Sequence, residues 1–171
     1  MLTASASSRR HRSAGSPRFV WLLVSIGAVA LVAAVGRTWT DTATGSWYAD
    51  LDKPAWTPPG AVFGIVWTVL YLMMAVAAWL VAREGLERTD VRRALLLYAV
   101  QLALNLGWTA TFFAAERPGW AIVEIGALFV MVIVTTLSFR PISSTAAWLM
   151  APYAAWVAYA ASLTIGIAVM N

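Results

Sequence analysis

The stretch "AVFGIVWTVLYLMMAVAAWLVA", residues 61–82, runs for 22 residues without a charged side chain. At ~1.5 Å per residue, a helix of that length crosses the ~30 Å of hydrocarbon in a bilayer. Lipid offers no partner to backbone N–H and C=O groups, and a helix satisfies them internally. The stretch reads as a membrane span, and four further apolar runs accompany it: 19–35, about 92–114, 120–138 and 146–169. The fold class is therefore all-α, a bundle of five transmembrane helices. One domain covers 19–171, with a single long extramembrane loop, 36–60. Ahead of it, 1–18 ("MLTASASSRRHRSAGSPR") lacks periodicity and reads as a disordered basic tail.

Composition agrees. Of 171 residues, 61% are hydrophobic and 12% charged, with a mean hydropathy of +0.73. A soluble domain carries about a quarter charged residues. The chain has no cysteine, which excludes disulfides, thiol chemistry and Cys-ligated metals, and its one histidine, His11, lies in the tail. The residues suggest no metal site. The net charge of +4 comes from arginines spread over tail and loops, without the basic stripe of a nucleic-acid binder. Ala28-Val29-Ala30 allows an alternative in which the first run is a cleaved secretory signal, but 17 residues is long for a signal core.

Basic residues set the expected orientation. Arg9, Arg10, Arg12, Arg18, Arg83, Arg88, Arg92, Arg93 and Arg140 share one side, against Arg37, Lys53 and Arg117 on the other. The positive-inside rule places the N-terminus in the cytoplasm and the 36–60 loop outside.

Polar and aromatic residues within the spans point to a site. Gln101, Asn105 and Trp108 fall on one face of the third span, and an amide facing lipid without a partner costs a few kcal/mol. Trp67, Tyr71 and Met74 stripe the second span, with Phe63 one turn earlier; Trp156, Ala160 and Leu163 stripe the fifth. Stripes of this kind also serve as plain core or lipid-facing surface. Ten tryptophans nevertheless exceed what two interfacial belts need, and indole donors beside an amide suit a large planar ligand. Glu124 lies about one turn inside the fourth span, either as a functional carboxylate or as a group that snorkels to the interface. Small residues recur every fourth position at Ala99, Ala103, Gly107, Thr111 and Ala115, at Ala154, Ala158, Ser162 and Gly166, and at Gly60 and Gly64, as in a tight bundle or a dimer seam.

"WYADLDKPAWTPP", "FGIVWTVLY", "QLALNLGW", "FFAAERPGWAIVEI" and "PYAAWVAYA" follow one another in order from Trp47 onward. Together they resemble the TspO/MBR family of translocator and tryptophan-rich sensory proteins, over most of the chain up to Gly166. The resemblance implies a five-helix bundle, typically a homodimer, that binds porphyrins such as protoporphyrin and related hydrophobic ligands, with no covalently bound cofactor. It implies a pocket from Trp67, Tyr71, Asn105, Trp108, Trp120, Trp156 and Ala160. Over that pocket it implies a lid carrying Trp47, Tyr48, Pro54, Trp56, Pro58 and Pro59. Prolines narrow the lid's freedom, and Pro58 or Pro59 suits the first turn of the second span. The same segment could instead be an interfacial anchor on the headgroups. Asp50 and Asp52 add negative charge to the lid, so Lys53 or Arg37 has to supply the compensation for porphyrin carboxylates. The place of the proposed cholesterol motif reads Thr164, Ile165 and Val169, without the family's Tyr and basic residue.

Three functions compete on these grounds. The first is a porphyrin receptor or transport-like protein in tetrapyrrole homeostasis or stress sensing. The second is a light- and oxygen-dependent porphyrin-degrading enzyme, with Trp67 and Trp156 lining the reaction site. Hydrolytic or metal catalysis has no support, since the spans hold no His, Cys or paired carboxylates. The third is a generic small transporter, against which the spans lack a charged relay or a broken helix pair.

Overall fold

The structure is a computed structural model that describes residues 16–45 and 47–171. Six α-helices follow in order: α1 Ser16–Thr44, the short α2 Trp47–Asp50, α3 Gly60–Ala82, α4 Thr89–Thr109, α5 Pro118–Phe139 and α6 Ser144–Met170. A π-helical turn, Ala110–Ala114, extends α4. Five of the helices are long and apolar enough to cross a membrane, and there is no strand among the described residues. Most of the expected tail, residues 1–15, lies outside the described residues.

Local chemistry fixes the helix ends. The Pro59 carbonyl accepts from the amides of Val62 and Phe63 at 2.9 and 3.3 Å, so Pro59 is the N-cap of α3 rather than its first turn. Gly85, at φ 108°, makes the turn between α3 and α4 in a backbone region that a side chain disfavours. Pro118 opens α5, where its missing N–H costs nothing. The Ser143 hydroxyl caps α6 by accepting from the Ala146 amide at 3.3 Å. Pro152 lies inside α6 and has no N–H to offer the carbonyl one turn back.

The first helix corrects the expected boundaries. It continues through Thr44, nine residues past the apolar run, so the long connection shrinks to 45–59. Residues 36–44 are helical because their polar groups bond back along the helix. The hydroxyls of Thr38, Thr40, Thr42 and Thr44 donate to carbonyls three or four residues earlier, and Arg37 pairs with Asp41 at 3.1 Å. Ala43 is buried and Gly36 lies against Thr109, so this extension also packs on the end of α4.

The main interfaces are α5 with α6, α4 with α5, α1 with α3, and α3 with α6. Met74, Val81, Leu128, Val132, Phe139, Met150 and Tyr153 fill the interior with no exposure. Ile65, Leu96, Val123, Val130, Leu137 and Val169 point outward and are more than half exposed, as expected of lipid-facing positions. Of the α4 ridge expected for a tight bundle or a dimer seam, Ala99, Ala103 and Ala115 are exposed, whereas Gly107 and Thr111 are half-buried, Gly107 against Glu124 of α5. Close packing inside the monomer is carried by another set of small residues, among them Ala75, Ala77, Ala78, Ala94, Ala121 and Ala146.

Candidate functional site: an aromatic chamber under a latched strap

Three helices bring rings to one place. On α3, Phe63, Trp67 and Tyr71 recur every four residues; on α6, Tyr153, Trp156 and Ala160 follow at three and seven; on α4, Asn105 and Trp108 are three apart. Trp67 is the hub. Its ring meets Tyr71 at 5.5 Å, Tyr153 at 6.1 Å, Trp108 at 6.3 Å and Trp156 at 6.5 Å between centroids. Phe63 closes on Trp156 edge-on at 5.2 Å.

Asn105 lies at the base of these rings and is 1% exposed. Its Oδ1 accepts from the Tyr71 hydroxyl at 2.7 Å, and its Nδ2 donates to the Tyr153 hydroxyl at 3.2 Å. One carboxamide therefore ties α3, α4 and α6 together. The indole N–H groups of Trp108 and Trp156 are buried without a partner. On the outer flank, a groove of about 470 Å³ between α3 and α6 reaches Trp156, past Ile65, Val69, Met73, Pro152 and Ala155.

The strap over this chamber begins at α2. The Trp47 and Tyr48 rings pack on Phe112 at 5.9 and 6.2 Å, and Tyr48 also meets Phe113 at 5.6 Å. Phe112 in turn touches Trp108 at 6.0 Å, so aromatic contact runs unbroken from strap to chamber. The π turn makes this possible. Ala115 donates to the Ala110 carbonyl at 2.8 Å, five residues back, and the wider turn places Phe112 and Phe113 side by side at 4.8 Å. Glu116, at φ 55°, then reverses the chain into α5. Partial burial pushes the Tyr48 hydroxyl above its usual pKa.

Beyond α2 the strap runs along α6, held at three points. The Asp52 amide and carbonyl bond to the Asn171 side chain at 3.1 and 3.0 Å. Pro54 is buried against Gly166, where an added Cβ would come within 2.5 Å of the proline ring. The Trp56 carbonyl accepts from the Tyr159 hydroxyl at 2.6 Å.

The structure brings Trp67, Tyr71, Asn105, Trp108 and Trp156 together and buries Ala160 one turn beyond Trp156. It does not bring in Trp120, whose ring is 68% exposed beside Glu116 and Arg117 in a separate surface groove. Of the strap residues, Trp47, Tyr48 and Pro54 turn inward, whereas the Trp56 ring is 56% exposed and only its carbonyl is engaged. Pro58 is half-buried. Lys53 and Arg37 do not compensate the strap acids. Lys53 lies over the Tyr48 ring and donates to the carbonyls of Ala49 and Leu51, while Arg37 belongs to α1 with Asp41. Glu124 does not reach Arg117; its Oε2 is buried without a partner beside Gly107. Sequence reasoning passed over Tyr153, Phe112, Phe113, Tyr159 and Asn171. Tyr153 had a visible signal, three residues before Trp156 on the same face.

The sequence pattern of the TspO/MBR family fits residues 23–170. The chain belongs to the TspO/MBR family. The tryptophan-rich protein TspO of Chlorobaculum tepidum is 37% identical over 150 residues, 88% of this chain and 95% of that protein. The translocator protein of Homo sapiens is 41% identical over 118 residues, 68% of this chain and 70% of that protein. The tryptophan-rich sensory protein of Cereibacter sphaeroides is 35% identical over 145 residues, 85% of each. With its five apolar helices, this TspO/MBR protein is an integral, multi-pass membrane protein.

Proposed function

We propose that the protein binds porphyrins of the protoporphyrin type in the chamber around Trp67, as a receptor or carrier in tetrapyrrole homeostasis or stress sensing. One observation carries the reading: flat rings from α3, α4 and α6 meet over a bonded amide, and two buried indole donors there have no partner. Ring faces suit a planar apolar macrocycle, and the two N–H groups suit its polar edge. The rings are packed on one another, so a macrocycle enters by parting Trp67 from Trp156 and lifting the strap. Arg117, exposed and outside every ion pair among the described residues, is the cation at that end left to meet a carboxylate. The outward-facing small residues Ala99 and Ala103 of α4 offer a close-packing face for a homodimer.

The test is a titration of the purified protein with protoporphyrin, read by tryptophan fluorescence. Saturable quenching is expected in the parent and its loss in the double variant Trp67→Phe, Trp156→Phe. A parent without saturable quenching refutes the reading. Illuminating the complex in air separates holding from breakdown: a receptor leaves the Soret band bleaching no faster than free porphyrin.

A further inference from the structure

One turn along α4 from Asn105, the bundle buries polar groups that it does not pair. Gln101 is 0% exposed, and neither its Oε1 nor its Nε2 has a hydrogen-bond partner. The hydroxyls of Tyr98 and Thr135, 5% and 0% exposed, are unpartnered as well. Helix register brings these three together. Tyr98 stacks on Phe139 at 6.0 Å, and further along the same antiparallel pair Gly107 faces Glu124. Between those contacts Thr135, one turn before Phe139, falls within about two turns of the level of Gln101, one turn after Tyr98, by helix rise. The Tyr71–Asn105 and Asn105–Tyr153 bonds fix the other two helices, which bring the buried Ala75, Ala78, Ala146 and Met150 to the same level.

A carboxamide left unbonded in an apolar interior costs several kcal/mol, and buried polar groups are as a rule satisfied by protein or by ordered water. Here the described residues supply no partner. The set offers two amide hydrogens, a carbonyl oxygen and two hydroxyls, each able to donate and accept. A buried water takes two to four such partners. A divalent cation would need carboxylate oxygens, and the nearest acid on α5, Glu124, lies about three turns away.

We propose that Gln101, Tyr98 and Thr135 form an internal water site between α4 and α5. It adjoins the Tyr71–Asn105–Tyr153 network and keeps the floor of the aromatic chamber hydrated deep within the span. The site stands whether or not the chamber takes a porphyrin.

Gln101 is the only glutamine of the chain, so side-chain 15N labelling of glutamine yields a single amide pair. With the whole protein in lipid nanodiscs, that pair is expected to receive magnetisation from water with the sign of a long-lived bound molecule. The transfer is expected to fall severalfold in the double variant Tyr98→Phe, Thr135→Val, which keeps the ring and the β-branched shape. Transfer from protein or lipid methyls alone, or water transfer that the double variant leaves unchanged, overturns the proposal. Melting of Gln101→Met gives an independent arm. Losing the water from the two remaining hydroxyls lowers the melting temperature; a rise means that the amide was dry, and overturns the proposal too.

Discussion

Gly166 is the narrowest contact between strap and bundle, and replacing it by alanine tests whether the strap is held by fit. An added Cβ would lie 2.5 Å from Cγ of Pro54. Carbon atoms prefer ~3.5–4.0 Å, so the proline has to retreat by about 1 Å. Overpacking of this kind costs ~1–3 kcal/mol. The strap is held along α6 by three hydrogen bonds, from Asn171 and Tyr159, each with a net worth of ~0.5–1.5 kcal/mol. The two quantities are comparable, so the strap's opening equilibrium rises about 5- to 150-fold, taking ~1.4 kcal/mol per factor of ten. Amide exchange across residues 51–57 reads this directly, because the Asp52 and Thr57 amides are both bonded in the closed strap. Gly126→Ala is the control: nothing beyond its own helix backbone lies within 4 Å of its added Cβ, and exchange in the strap is expected to stay at the parent rate. Melting temperature is the wrong readout, since Gly→Ala inside a helix also adds up to ~1 kcal/mol of helix stability. If 51–57 exchanges in Gly166→Ala as in the parent, the latch is not where the strap is held.

Asn105→Leu strands the hydroxyls of Tyr71 and Tyr153 and is expected to destabilise the bundle by about 1–3 kcal/mol, from two bonds at the ~0.6–1.7 kcal/mol measured inside membranes; an undiminished unfolding midpoint in denaturing detergent contradicts this. Trp120→Phe, at an exposed ring outside the chamber, leaves porphyrin quenching close to the parent, whereas Trp67→Phe weakens it; the reverse order would move the site to the Trp120 groove. The absence of native cysteine permits single-cysteine labelling of intact cells with an impermeant maleimide. Trp56→Cys is expected to react directly and Arg88→Cys only after permeabilisation, and the opposite pattern inverts the orientation drawn from arginine placement.

The spans were legible because hydrocarbon thickness and backbone satisfaction leave few options for a run such as 61–82. The chamber was legible where the helical period alone decides, as with Trp67 and Tyr71, or Asn105 and Trp108. It failed where tertiary contact decides. Residues 36–44 carry four threonines and a glycine and read as loop, yet back-bonded hydroxyls and packing on the end of α4 keep them helical. Trp120 fits the family pattern by spacing, but it sits within the first turn of α5, where its ring points away from the rings around Trp67. The π turn is a one-residue change in hydrogen bonding that no periodicity in "ATFFA" announces, and without it the roles of Phe112 and Phe113 stay hidden.

Pro152 weakens α6 at a telling place. Beyond it lie both the wall residues Tyr153 and Trp156 and the latch residues Tyr159, Gly166 and Asn171. Trp156 and the strap's anchors share one stretch of helix beyond Pro152, so a force that moves Trp156 outward would also load those anchors. On the proposed function, wider guests are therefore expected to dwell less than slim ones, a trend that dissociation rates across a size series of porphyrins would read.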